Sequence, residues 1–583
     1  MITNGEIASL FSELASLTVL EDGSPQSFRV RAYERAARTA ESLVDPLADM
    51  TEAEIAALRG FGKSTARAVA EVVATGRVGR LDALRERFPP AFVEMTRIPG
   101  IGPKTALLLR ERLHVESVAD LQDAIARHAL RDLPGLGART EERISQSISR
   151  LGIGAEERRT PIIEAMRVAR DVAAALESVP GVLRAEAMGS LRRFRESVGD
   201  IDVIAVAEGD SGGVMDRFVS LPAGREVIAH GQKKSAILSS AGIQVDLRVV
   251  RPDQFGAAAV YFTGSKAHNV ALRRRALQRG WTLNEYGLTE QTTGRVIAAA
   301  TEHEVYRALG MAWIPPEMRE DAGEIEAAEQ GRLPDLVAEE HLRGDLHVHT
   351  DLSGDGREPL EAMLAGAAAR RYEYVAITDH GEDLAINGAS REELIAQRDQ
   401  IERLRSVYAG LTILQGAELN IGPDGSVDYD PGFLAGLDFG VAAVHGQFDL
   451  PADRQTQRIV AAMHDPAVNV IGHLTGRRIG RRPGIDVDVD AVLAAAEETG
   501  CALEINCHLD RLDVSSDLIR RAQGRDVVFT ISTDAHDTRE LGNTVWGVRT
   551  ARRGWLERRR VVNTWPAERF VAWVEAKRSG AAG

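Results

Sequence analysis

The sequence predicts a multidomain chain with an α-helical N-terminal region, an α/β domain in the middle and a C-terminal (β/α) barrel. Three observations carry this expectation. A hydrophobic-Gly-hydrophobic-Gly turn recurs three times before residue 150, each time running into a helical pattern. Carboxylates stand inside apolar runs of strand type between Ala187 and Val250. After Gly344, histidines and acids recur at the ends of apolar strands that alternate with helical segments. At 583 residues the chain is also too long for one core.

Residues 1–85 read as short amphipathic helices, with Phe28, Val30, Tyr33 and Ala37 expected on one buried face. The repeated turns are centred on Gly60/Gly62, Gly100/Gly102 and Gly135/Gly137. Glycines let a backbone approach a phosphate, and a helix start offers free amides. The three copies resemble helix-hairpin-helix motifs, which hold DNA by its backbone without reading bases. Residues 1–85 are expected to carry the first copy, and residues 86–150 to form a helix-hairpin-helix domain with the other two.

Residues 151–250 carry A-M-G-S-L-R-R-F-R-E-S-V-G-D-I-D-V-I-A from Ala187. Gly189-Ser190 can bring amides and a hydroxyl to a phosphate, and Arg192 and Arg193 add charge. Asp200 and Asp202, at i and i+2, share one strand face and repel each other unless divalent cations lie between them. Asp246, inside A-G-I-Q-V-D-L-R-V-V, supplies a third carboxylate. An amphipathic helix from Thr160 to Leu176 should cover the sheet, and three strands are expected to carry the carboxylates.

These residues resemble the nucleotidyltransferase palm of the DNA polymerase beta superfamily. Tyr261-Phe262-Thr263-Gly264-Ser265, Asn269, Arg273 and W-T-L-N-E-Y-G-L from Trp281 are similar to the nascent-base-pair segment of family X DNA polymerases, here 251–318. The resemblance implies that Asp200, Asp202 and Asp246 are catalytic and hold Mg2+ or Mn2+. It implies that Gly189, Ser190, Arg193 and Gly199 hold the triphosphate, that Tyr261 and Phe262 pack on the incoming sugar, that Gly264 belongs to the nucleotide site, and that Asn269 and Arg273 meet the base edge and template. Gln244 stands where vertebrate relatives have an arginine, and Lys266 where they have an acid. Alignment on Gly60 and Gly62 puts Ala68 at the position of their Schiff-base lysine, and Lys63 falls at the hairpin. Standard deoxyribose-phosphate lyase chemistry is therefore not expected.

Prolines 315 and 316 mark a boundary, and residues 319–340 read as an acidic, partly helical linker with two arginines against eight acids. From 341 to 583 the chemistry-bearing residues are His347, His349, Asp355, His380, Glu418, His445, His473, Asp534 and His536. Their order resembles the PHP (polymerase and histidinol phosphatase) domain, a distorted (β/α)7 barrel with two or three divalent metals. The resemblance implies one metal on His347, His349, Glu418 and Asp534, a second on Glu418, His445 and His473, and a third on Asp355, His380 and His536. Imidazole mixed with carboxylate suits Mn2+, Zn2+ or Fe2+. Arg511 is a candidate phosphate holder, while His464, His508, Asp510 and Asp513 read as surface residues.

Residues 1–318 carry 41 Lys and Arg against 41 Asp and Glu, which leaves 30 against 45, so the whole formal charge of −15 belongs to residues 319–583. That balance argues against a loose electrostatic grip on duplex DNA by the C-terminal part. No run of eighteen apolar residues and no signal-peptide pattern occurs, so a cytoplasmic protein with no membrane partner is expected, with Cys501 and Cys507 as buried thiols. The implied function is gap-filling DNA polymerase with 3'-5' exonuclease, in base excision repair or end joining, with 3'-phosphatase or AP-endonuclease activity open at the barrel. The implied partners are gapped or nicked DNA, DNA 3' ends and deoxynucleoside triphosphates. A monomer is expected. Two alternatives stand beside it: a template-independent nucleotidyltransferase, and a DNA-end-binding protein acting mainly as a nuclease.

Overall fold

The computed structural model describes residues 2, 4–24, 27–43, 46–96, 98, 101–151, 159–209, 211–384 and 387–579. Residues 1–159 with 269–297 form one compact unit, and residues 160–268 with 298–583 form a second. No helix among the described residues is long and apolar enough to cross a membrane.

The first unit is helical around one core. Helix α1 (Asn4–Asp22) buries Ile7, Phe11, Leu14 and Leu17, spaced for one face. Helix α2 (Phe28–Ser42) starts at Ser27, whose hydroxyl accepts from the Val30 amide. Its buried stripe is Val30, Ala36, Ala37 and Ala40, with Tyr33 packed alongside. Phe28 is not part of it: it is 78% exposed, because two residues before Val30 is the opposite side of a helix. The glycine turns lead into helices as expected, α3 (Lys63–Thr75) after Gly62, α4 (Pro103–Leu113) after Gly102 and α5 (Ala138–Leu151) after Gly137. Gly100 lies outside the described residues.

The second unit opens with a five-stranded sheet under helix α6 (Ile162–Glu177). Its strands are β1 (Val182–Ala187), β2 (Asp200–Ala207), β3 (Gly224–Ala229), β4 (Lys234–Ser239) and β5 (Gln244–Val250), in the order β1-β2-β5-β4-β3. The central pair β2 and β5 is parallel and the outer pairings are antiparallel. Alternation along β2 decides the site. Ile201, Val203, Ala205 and Ala207 join the core under α6, while Ile204 and Val206 pack on Phe255, Ala258 and Ala259 of helix α8 (Phe255–Thr263). Asp200 and Asp202 are in phase with the second set. Two adjacent strands, rather than three, carry the carboxylates. A parallel pair needs a crossover, and the crossover from β2 brings β5 back beside it with Asp246 in register.

Residues 319–340 contain a helical turn, α10 (Glu324–Glu329), and most of their charges are exposed, but two are not. Arg319 is fully buried and bonds Glu302, and Glu324 is fully buried against His268. The barrel follows: seven parallel strands, β6 (Gly344–Val348), β7 (Tyr374–Ile377), β8 (Thr412–Asn420), β9 (Phe439–Ala443), β10 (Val470–Ile471), β11 (Ala502–Asn506) and β12 (Phe529–Ser532), neighbours in sequence order. A parallel bridge from Val348 to Ala535 brings the first and last strands together. Cys501 and Cys507 are buried free thiols, and burial pushes Cys501 up to about 12.

Candidate active sites

In the sheet domain Asp202 is the register partner of Asp246, and Asp200 that of Gln244. Burial first, then Asp200 and Asp246 beside it, pushes the Asp202 carboxyl up to about 7. Three carboxylates pressed together in this way are a donor set that fits a divalent cation. Gln244 Nε2 donates to Asp246 Oδ1 at 2.8 Å, and Lys234 Nζ pairs with Asp246 Oδ2. Gly189, at the start of helix α7 (Gly189–Arg192), has φ +62°, and a Cβ there would stand 2.6 Å from Asp202 Oδ2. Backbone and neighbour both demand glycine.

The expected nucleotide contacts are in varied states. Gly199 has open space where a Cβ would be. Tyr261 is 38% exposed, with its ring edge-on to Phe262 at 5.0 Å. Arg193 is engaged: Nε lies 3.1 Å from Glu320 Oε1, and Nη1 donates to the Thr263 carbonyl beside Gly264. Arg192 forms a fork on Glu302 at 2.8 and 2.9 Å. Burial would raise the Glu302 carboxyl, but Arg319 and Arg192 hold it well below the usual carboxylate range. Helix α9 (Lys266–Gln278) carries Asn269 and Arg273 one turn apart, with Arg273 Nε 3.4 Å from the Asn269 carbonyl.

Among the hairpin glycines, Gly60 has φ +112° and a Cβ there would meet Thr39 Oγ1 at 2.1 Å. Gly62, Gly102 and Gly137 have nothing within 4 Å of a Cβ, nor does Gly135. Gly60 is therefore explained by packing, and Gly62 and Gly102 by nothing internal. Ala68 packs against the helical core.

The barrel gathers all nine expected ligands at the C-terminal strand ends. Glu418 is their hub: Oε1 lies 3.1 Å from His445 Nε2 and 2.9 Å from His473 Nε2, and Oε2 lies 3.5 Å from both His347 and His349 Nε2. Asp534 Oδ1 is 3.7 and 3.3 Å from the same two nitrogens. Asp355 Oδ1 stands 3.4 Å from His380 Nε2 and 3.5 Å from His536 Nε2. Tetrahedral bonds of the usual zinc length separate neighbouring ligand atoms by about 3.4 Å, and these gaps are of that size. His347 Nε2 and His349 Nε2 are buried and make no hydrogen bond. Burial, then His380 beside it, pushes His349 down to about 4, which keeps it in the neutral form that ligates. The residues fit a cluster of divalent metals. His380 faces both ways, with Nδ1 2.7 Å from Glu418 Oε2 and Nε2 toward Asp355.

Family models match residues 258–320 (DNA polymerase beta thumb), 2–78 (helix-hairpin-helix domain), 92–150 (SAM-like helix-hairpin-helix tandem) and 345–508 (PHP domain). A Bacillus subtilis protein named DNA polymerase/3'-5' exonuclease PolX is 34% identical over 561 residues, covering 96% of this chain and 97% of its own. The chain belongs to the family X DNA polymerases that carry a PHP domain. "Probable phosphatase" proteins of Thermoanaerobacter sp. (strain X514) and Vibrio parahaemolyticus are each 27% identical, over 38% and 34% of this chain and 89% and 79% of their own.

In this family X chain several residues around the barrel site escaped the sequence reading. Glu504 is fully buried and takes His347 Nδ1 at 2.7 Å and the His473 amide at 2.7 Å. Ser353 Oγ lies 3.1 Å from His349 Nδ1, Asn420 Oδ1 lies 2.7 Å from His445 Nδ1, and Asn506 reaches Asp534 Oδ2 at 3.1 Å. Such partners aim the ligating nitrogen. Glu504 had a signal, since an acid inside A-L-E-I-N is as misplaced in an apolar strand as Asp246. His508, Asp510 and Asp513 are not surface residues. Asp510 bonds His508 and Arg478, Asp513 accepts from Thr475, and both aspartates are buried; His464 alone of the four is exposed. Arg511 and Arg478, with His508, line a 210 Å³ cavity together with seven of the nine candidate ligands.

Proposed function

We propose that the chain is a DNA-directed DNA polymerase that also shortens DNA 3' ends by hydrolysis in its barrel. The observation that carries the reading is the register of Asp202 on Asp246, with Asp200 on the same face and Gly189 folded over it. In this reading Asp200, Asp202 and Asp246 hold Mg2+ or Mn2+, and Lys234 and Gln244 fix Asp246. Gly189, Ser190 and Gly199, with Arg193 beside them, receive the triphosphate, and Tyr261, Phe262, Gly264, Asn269 and Arg273 meet the new base pair. The hairpin glycines Gly60, Gly62, Gly100, Gly102, Gly135 and Gly137 approach the DNA backbone. In the barrel His347, His349, Glu418 and Asp534, then His445 and His473, then Asp355, His380 and His536 hold Mn2+, Zn2+ or Fe2+.

Divalent cations at either site, when bound, make a hydroxyl or a water more nucleophilic and offset the charge that builds on the phosphate. The chain's own residues supply the rest: Glu504, Ser353 and Asn420 orient imidazoles, and Arg511 with Arg478 attracts a phosphodiester into the cavity. The substrates are gapped or nicked DNA, 3' ends and deoxynucleoside triphosphates, acted on in the cytoplasm by a monomer in short-gap repair.

The test is a 5'-labelled, one-nucleotide-gapped duplex with magnesium or manganese, with and without nucleotides. Asp200→Ala/Asp202→Ala should lose extension alone, and His347→Ala/His349→Ala shortening alone. Wild type that shortens and never extends refutes the polymerase reading. Extension without a template strand would favour a template-independent transferase.

A further inference from the structure

Helix α7 is four residues long, so its last carbonyls depend on partners from outside it. The carbonyls of Gly189, Ser190 and Leu191 accept from the amides of Arg193, Arg195 and Phe194. The next two are met from the barrel domain. Arg549 Nη2 donates to the Arg192 carbonyl at 2.5 Å, and Arg553 Nη1 donates to the Arg193 carbonyl at 3.0 Å.

Both arginines belong to helix α11 (Thr544–Arg553), where Trp546, Arg549 and Arg553 fall at i, i+3 and i+7 on one stripe. Phe194 closes the contact, its ring parallel to Trp546 within 5° at 6.0 Å and its face 4.7 Å from the Arg549 guanidinium carbon. Phe194 has φ +58°, a left-handed conformation that a bulky residue keeps only where its surroundings hold it. Acids tension the other side: Glu317 Oε1 takes Arg549 Nε at 3.1 Å, and Glu320 Oε1 takes both Arg553 Nη1 at 2.9 Å and Arg193 Nε at 3.1 Å. Trp546, Arg549 and Arg553 do not line the barrel cavity.

We propose that α11 is a positioning element of the polymerase site: through Trp546, Arg549 and Arg553 the barrel domain fixes residues 192–195, and with them the Gly189-Ser190 turn that meets the triphosphate. The barrel domain is then a nuclease on one face and a structural half of the nucleotide site on another. The chemical reason is placement, since a shift of about 1 Å in a phosphate-contacting turn costs on the order of 100-fold in rate. The inference rests on the polymerase reading above.

The test uses full-length protein on the gapped duplex and measures nucleotide KM, kcat and the shortening rate for one preparation of each variant. Arg549→Ala and Arg553→Ala should each raise the KM for the incoming nucleotide by about tenfold or more, with shortening unchanged. Arg549→Lys should recover part of the loss, because an ammonium reaches one carbonyl but cannot also hold Glu317. Should the alanine variants not fold, Glu317→Gln, which touches neither carbonyl, should still raise KM by a smaller factor. Unchanged KM and kcat overturn the proposal, as does an equal loss of extension and shortening, which marks a general folding role. Wild type that never extends refutes the polymerase reading itself and leaves α11 no site to position.

Discussion

Glu504→Gln isolates the contribution of a buried partner to the barrel site, because it keeps volume and removes charge. Glu504 is fully buried and accepts three hydrogen bonds, from His347 Nδ1 and the His473 amide at 2.7 Å each and from Asn506 Nδ2 at 3.1 Å. A glutamine offers one oxygen and one NH2 group, so one of these donors must face another donor. An unsatisfied buried donor costs about 1–3 kcal/mol. On His347 that cost falls on the tautomer: with Nδ1 no longer held as a donor, Nε2, which faces Glu418 and Asp534, is no longer fixed as the lone pair. Partners of this kind are worth about 10–100-fold in metal affinity, or about 1.4–2.7 kcal/mol.

The assay is a manganese titration of 3'-end shortening by wild type and Glu504→Gln, with extension measured on the same preparations. The midpoint should move up by about 10–100-fold while the plateau at saturating metal recovers, and extension should be unchanged. An unmoved midpoint under a lowered plateau would refute the reasoning, since Glu504 would then act on the reaction rather than on the metal.

Three further outcomes are expected. Gly189→Ala should abolish extension and leave shortening intact, because the new Cβ would stand 2.6 Å from Asp202 Oδ2 at a φ of +62°; extension at the wild-type rate would show that the turn does not face the site. Borohydride should trap no adduct between a 5'-deoxyribose phosphate end and the protein, as Ala68 lacks an amine; a trapped adduct that disappears in Lys63→Ala would assign the amine to Lys63. Glu302→Gln should lower the unfolding midpoint by removing about 3–5 kcal/mol, since it leaves the buried Arg319 and the half-buried Arg192 without their acid. The Glu302 carboxyl is depressed in the folded chain, so its stabilisation is complete above about pH 5 and is lost as pH falls further. A midpoint in Glu302→Gln equal to wild type at pH 7 would contradict this.

The barrel's cluster of candidate ligands was legible because a histidine or acid at the end of an apolar strand has little structural reason to be there, and nine in succession have less. Asp200, Asp202 and Asp246 were legible on the same ground. Residues that depend on a distant partner were not. Arg192 and Arg193 read as free positive charge, yet their acids, Glu302 and Glu320, lie 110 and 127 residues away. Asp510 and Asp513 read as surface because Arg478 and Thr475, more than thirty residues earlier, are invisible from their own segment. Phe28 was misplaced against ordinary helical arithmetic, and the strand count of the carboxylates by ignoring the crossover that pairs β2 with β5.

The charge imbalance also takes on a different meaning. Glu317 stands just before the acidic linker and Glu320 and Glu324 within it, and each meets a buried or half-buried cation or imidazole within the second unit. Ion pairs of this kind add little net stability over well-packed apolar residues of the same size. What they add is register, since an arginine fork accepts one geometry where an apolar contact tolerates sliding. Phe194 against Trp546 already provides the apolar contact between the sheet domain and the barrel. The arginines around it carry directional bonds to two backbone carbonyls and two carboxylates, and those bonds are useful only if the position of residues 192–195 matters. A two-domain enzyme that needed only cohesion would have no reason to bury so much charge beside one turn of backbone.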